Sequence, residues 1–145
     1  AEATTLGERA LARIGFTADE ARVITASLLD AELCGYPALG LARILTISEH
    51  ENFRKPRSAI RIEHETPVSA RIDGGNYPGF YAVYRAMEVA IEKAQANRFA
   101  VVGARNCWMS GRSVLTGVSP APTTRPSGTS RSMRWFASRR RNTPS

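Results

Sequence analysis

The sequence predicts an α/β body, helices first and then strands and a long amphipathic helix, followed by a disordered or irregular tail. Three observations carry this. Apolar residues recur at helical spacing through residues 3–34 and again through 79–97. Between those stretches, residues 60–72 alternate apolar and polar with a period of two. From Arg112 onward the periodicity stops.

Residues 3–14 form the first expected helix, with Leu6, Ala10 and Ile14 on one side and Gly15 suited to the turn that ends it. Thr17 and Glu20 make a capping box, in which the hydroxyl accepts from an orphan N–H and the carboxylate reaches back to the cap. The second helix should run to about Cys34 and bury Val23, Ile24, Leu28 and Leu33, with Gly35 as its stop. Pro37 fits the first position of a third helix, which continues through Leu41, Ile44, Leu45 and Ser48. Residues 52–58 contain Pro56 and read as a loop.

Ile60 to Glu65 and Val68 to Ile72 then read as two strands joined by a short connection. The run Asp73-Gly74-Gly75-Asn76-Tyr77-Pro78-Gly79 is rich in turn formers and is expected to be a loop. In the helix over 79–97, Phe80, Tyr84, Met87, Ile91 and Ala94 mark the apolar stripe, a core pattern rather than a cofactor box. Phe99 to Ala104 is a short apolar run and reads as a buried strand.

The chain has 145 residues, enough for one domain, and 43% of them are hydrophobic, ordinary for a soluble protein. There is no membrane-length apolar run and no secretory pattern, so a cytoplasmic protein without a membrane partner is expected. Ala1 stands where an initiator Met would, which points to a missing initiator or leader. Cys34 and Cys107 lie in no metal-ligand spacing and read as reduced thiols; no metal is expected. The net charge of +7 is not spread along the chain. All 13 acidic residues lie within 1–111, where an equal number of basic ones balances them. The tail, 112–145, holds seven arginines, seven serines, five threonines and four prolines, with no acid and no lysine. Such a segment buries too little apolar surface to offset its chain entropy.

Three stretches, in order, resemble the malate/L-lactate dehydrogenase family of NAD(P)-dependent oxidoreductases. The first is Ala31-Glu32-Leu33-Cys34-Gly35-Tyr36-Pro37-Ala38-Leu39-Gly40-Leu41-Ala42-Arg43, similar to the family's A-D-L-x-G-x-x-S-H-G-x-x-R. The second is Ala70-Arg71-Ile72-Asp73-Gly74 leading into the helix with Ala86-Met87 and Ile91-Glu92-Lys93-Ala94. The third is Val101-Val102-Gly103-Ala104-Arg105-Asn106, where the family has a strand ending in a polar, His-containing turn. The resemblance covers roughly residues 5–112, so 1–111 is expected to be the N-terminal part of such a domain, an incomplete piece of a larger fold.

The resemblance implies hydride transfer between NAD or NADP and a 2-hydroxy or 2-oxo acid, or a cyclic imine, and it implies homodimers for complete members. Arg43 matches the family arginine, and a guanidinium offers a planar pair of donors to a substrate carboxylate; the other reading of Arg43 is a solvated helix face. The family's proton-donating histidine is replaced by Leu39, which has no ionisable group. Tyr36, three residues earlier, is the candidate catalytic hydroxyl, although a phenol's ordinary pKa of roughly 10 makes it a poor proton shuttle. A tyrosine at a helix start is the simpler reading.

In the third stretch Met109 occupies the second family histidine, or Trp108-Met109 matches an H-W-M form across a small gap. Asn106, Trp108 and Gly111 are the candidate cofactor-binding residues, though a strand ending in a turn also accounts for Asn106 and Gly111. His50 and His64 match no catalytic position and read as structural. No G-x-G-x-x-G is present, in keeping with a family whose cofactor fold is not the common dinucleotide one. With Leu39 in place of the histidine and the resemblance ending near Gly111, the chain is expected to be weakly active or inactive alone.

The tail has two readings. One is a shifted reading frame in a GC-rich gene from about Gly111, giving a truncated, non-catalytic pseudoenzyme. The other is an anion or nucleic-acid contact through Arg139-Arg140-Arg141 with Trp135 and Phe136, although no nucleic-acid-binding motif accompanies them.

Overall fold

The computed structural model describes residues 2–109, so Gly111 and both readings of the tail lie outside the described residues. The first helix, α1 (Glu2–Arg13), turns back through Gly15 into α2 (Ala18–Leu33). The predicted capping box is in place: Thr17 Oγ1 accepts from the Glu20 N–H at 3.4 Å, and Glu20 Oε2 accepts from the Thr17 N–H at 2.9 Å. Val23, Ile24 and Leu28 are buried as expected, whereas Leu33 and Leu6 are 83% and 67% exposed. Both leucines fit the helical period, but Leu33 ends α2 and Leu6 lies on a side of α1 that no described residue covers.

The third helix does not start at Pro37. Residues Pro37–Leu39 make a single 3₁₀ turn, Gly40 goes extended, and the helix α3 covers only Arg43–Glu49. The segment is instead held against α2, where Glu32 Oε2 accepts from the Leu41 N–H at 3.1 Å. A second 3₁₀ turn, Glu51–Arg54, opens the predicted loop.

A three-stranded sheet follows, in the order β1 (Arg61–Glu65), β2 (Ser69–Pro78), β3 (Val101–Trp108). β1 and β2 are antiparallel, while β2 and β3 are parallel and joined by α4 (Gly79–Asn97). The expected loop over 73–79 is a correction: β2 continues to Pro78, and the turn formers are absorbed inside the strand as a bulge.

The stripe of α4 agrees with the expected one at Phe80 and Ala94 and differs between them. An alanine ladder, Ala82, Ala86, Ala90 and Ala94, faces the sheet beside Phe80, and Tyr84, Met87 and Ile91 are only half-buried. Small side chains let the helix lie close on Ala70 and Ile72 of β2. β3 is not a buried strand. Among the described residues it is an edge whose Val101, Gly103 and Arg105 are exposed, with α4 packed on one face of the sheet.

The core gathers where these elements converge: Leu11, Phe16, Ile24, Leu28, Ile47, Phe80 and Trp108 form one buried cluster. Ile47 therefore ties α3 to the helix pair, and Trp108 ties the end of β3 to both. Among the described residues no helix is long and apolar enough to cross a membrane.

Candidate functional site

The bulge builds the site. Asp73 of β2 pairs with Arg105 of β3, and the next pair is Tyr77 with Cys107, so three residues on β2 face one, Asn106, on β3. Three of these four residues adopt the left-handed conformation: Gly75 and Asn76 at φ 59° and Asn106 at φ 53°. Glycine and asparagine are the residue types that tolerate this. Gly75 is required twice over, since a Cβ there would lie 2.1 Å from the Ser58 carbonyl oxygen.

The close approach brings residues 50–58 against the bulge. Ser58 N–H donates to Gly75 O at 2.9 Å. The Asn76 amide donates to the Asn52 carbonyl at 3.1 Å, with longer contacts to those of Lys55 and Pro56. The Asn76 carbonyl in turn accepts from Trp108 Nε1 at 2.9 Å. His50 stacks on Trp108, with centroids 4.5 Å apart and planes 18° off parallel. His50 Nδ1 accepts from the Asn52 N–H at 3.1 Å, which leaves Nε2 to carry the proton of the neutral ring. Arg57 fixes the same segment to the helix pair, lying 4.4 Å over the Phe16 ring and donating to Gly15 O at 2.7 Å.

Behind the wall sits Asp73, which is buried. Its Oδ1 accepts both the Gly75 N–H at 2.9 Å and the Asn106 amide at 2.8 Å. The Gly75 N–H first and the Asn106 amide second hold its carboxyl below the usual carboxylate range. These contacts enclose an open cavity of about 460 Å³ lined by Asn52, Lys55, Ser58, Asn76, Asn106, Cys107 and Trp108. Burial pushes the Cys107 thiol up. A second cavity of about 510 Å³ lies between β1 and α4, but Arg85 and Glu88 on its wall satisfy one another at 2.7 Å. No group of metal-ligating side chains occurs among the described residues.

The fold thus brings together two of the sequence-based site candidates, Asn106 and Trp108. Arg43 and Tyr36 do not line this cavity. Arg43 is the half-buried first residue of α3, about 10 Å along that helix from His50. Tyr36 is 47% exposed, in the turn before α3. His64 is exposed on β1, whereas His50, read from sequence as structural, reaches the site through Trp108. Lys55, Ser58 and Asn76 were not candidates; the Gly-Gly-Asn cluster inside a period-two pattern was the available signal for a bulge.

Comparison with known proteins agrees with this architecture. A family model described as malate/L-lactate dehydrogenase matches residues 1–118. The L-sulfolactate dehydrogenase of Methanocaldococcus jannaschii is 32% identical over 99 residues, covering 66% of this chain and 28% of that protein. The malate dehydrogenase of Pyrococcus horikoshii is 33% identical over 103 residues, covering 68% of this chain and 28% of that protein. The solved structure of malate dehydrogenase from Pyrococcus horikoshii matches with a TM-score of 0.68 at 27% identity, over 75% of this chain and 32% of that one. The chain spans less than a third of the length of these relatives. The helix pair, the strand–helix–strand unit and the order of the three sequence stretches all fall within the matched region, and the chain belongs to the malate/L-lactate dehydrogenase family.

Proposed function

We propose that this chain is the N-terminal portion of an NAD(P)-dependent oxidoreductase acting on a small 2-hydroxy or 2-oxo acid of the malate or sulfolactate type, with a cyclic imine as the wider alternative. The likeness to malate and sulfolactate dehydrogenases across the whole described region carries this reading. When bound, the nicotinamide supplies the hydride donor or acceptor for the substrate's C2. The cavity at the bulge suits one end of such a cofactor: its volume of about 460 Å³ falls in the range of small-molecule sites, and its walls are amides around a buried indole. Trp108 and Asn106 are the residues proposed to face the junction of nicotinamide and substrate, with Gly111 following them in sequence. Arg43 is proposed to hold an acid group of the substrate, approached from α3. Tyr36, in the turn before α3, is the proposed hydroxyl. With Leu39 at the family's histidine position, turnover by this chain is expected to be weak or absent, while binding is retained.

The test is a titration with NADH and with NADPH, following nicotinamide fluorescence, then an assay of malate, sulfolactate and 2-oxo acids. Saturable cofactor binding is the expected result. Absence of binding to both cofactors together with absence of turnover would remove the reading.

A further inference from the structure

The wall of the bulge cavity carries more information than its residue types. Lys55 is the charged residue among those lining it. Its Nζ is anchored to the neutral Asn52 Oδ1 at 2.6 Å, and no carboxylate pairs with it among the described residues. Lys93, by contrast, pairs with Glu65 at 3.0 Å. Among the described residues that line the cavity there is no acid, and the nearby Asp73 carboxylate is engaged by Gly75 and Asn106, so the ammonium favours an anionic ligand group.

Asn106 supplies the second point. An ionised carboxylate only accepts hydrogen bonds, so the bond from Asn106 to Asp73 at 2.8 Å must be made by the amide nitrogen. The position of Asn106 Oδ1 follows, and no described residue donates to it. The cavity is therefore lined by an exposed cation and by an exposed amide whose nitrogen is bound to Asp73 and whose oxygen is open to a ligand donor. A 2-hydroxy acid complements both, through its carboxylate and its hydroxyl hydrogen. A 2-oxo acid complements only the first, and its ketone oxygen would oppose the Asn106 oxygen with no proton between them.

We infer that the bulge cavity selects the 2-hydroxy acid over the corresponding 2-oxo acid, with the carboxylate on Lys55 and the hydroxyl on Asn106. The inference rests on the proposed oxidoreductase reading for its substrate class.

Ligand-observed NMR on the full chain tests it with two matched pairs, L-lactate with pyruvate and L-malate with oxaloacetate. The hydroxy acid should bind about 5- to 10-fold tighter within each pair, the worth of one hydrogen bond. Lys55→Met should weaken both members of a pair alike. Asn106→Gly, which keeps the left-handed backbone accessible, should abolish the preference and leave the weaker binding. Circular dichroism and Trp108 emission establish that each variant is folded, and the native pair comparison needs no variant.

Equal affinities in the native chain, a preference that survives Asn106→Gly, or binding indifferent to Lys55→Met overturns the inference. A parallel NADH titration separates the two readings. NADH binding without discrimination between the acids, or without acid binding, defeats this inference alone. Loss of both NADH and acid binding defeats the proposed function as well.

Discussion

Two regions of the molecule carry the candidate chemistry, and they are built on different terms. At the bulge, each functional side chain is fixed by a partner that is itself fixed: Asp73 orients Asn106, Asn76 holds Trp108 and the 52–56 segment, and Trp108 seats His50. Along residues 36–43, the turn is short, Gly40 breaks it, and Tyr36 stands 47% exposed. A site that must hold geometry to fractions of an ångström needs the first kind of support. The comparison teaches that the bulge is held by contacts between elements distant in sequence, whereas the segment richest in family resemblance is a short turn beside α2.

The sharpest way to break that comparison is Trp108→Ala. It removes a side chain that is 7% exposed from the common core and leaves the Asn76 carbonyl without its indole donor. A loss of about 3–5 kcal/mol in denaturant-measured stability is expected, and cofactor binding should go with it. Unchanged stability would mean that the end of β3 is not part of the core.

Gly75 in the bulge and Gly35, which leads into the second region, give a matched pair. Gly75→Ala places a Cβ on the Ser58 carbonyl oxygen and forces φ 59° on a residue that resists it. The expected cost is about 3 kcal/mol or more, because the clash is with backbone. Gly35→Ala has an even larger φ of 85° but meets nothing within 4 Å. Only the conformational term remains, about 1–2 kcal/mol. Equal effects in urea melts would contradict the close packing assigned to the bulge.

That pair also shows what was legible in the sequence. Thr17, Glu20 and Gly35 announced the ends of the helices, because capping and left-handed stops are local chemistry. The span of α4 was readable from its amphipathic period instead. Gly74, Gly75 and Asn76 announced a backbone turn but not its place; the same residues serve a loop or a bulge, and only pairing with β3 decides between them. Asn106 and Trp108 were found through resemblance. His50 and Lys55 were not, since His50 meets Trp108 across 58 positions of sequence, and no local pattern encodes that encounter. The alanine ladder was missed because a period-based reading weights large side chains, while close helix–sheet packing selects small ones.

The smallest expected effect is the most specific one. Asp73→Asn keeps an oxygen that can accept both bonds now made to Oδ1, so at neutral pH only their charge assistance is lost. The difference appears in acid. The folded-state pKa of Asp73 lies below its unfolded value of about 3.9, so its contribution is fully present above that pH. The contribution falls away as pH drops through the folded value, because the unfolded chain takes up the proton first. The variant has no proton to bind there. Its stability curve should therefore be flatter than the native one below about pH 4 and parallel to it above. Asp19 and Glu63, whose carboxyls are also held low by arginine partners, keep some acid sensitivity in both proteins. The informative quantity is thus the difference between the two curves. If that difference stays constant from pH 2 to 7, Asp73 is not the ionised group that orients Asn106, and the acceptor assigned to the cavity wall loses its physical basis.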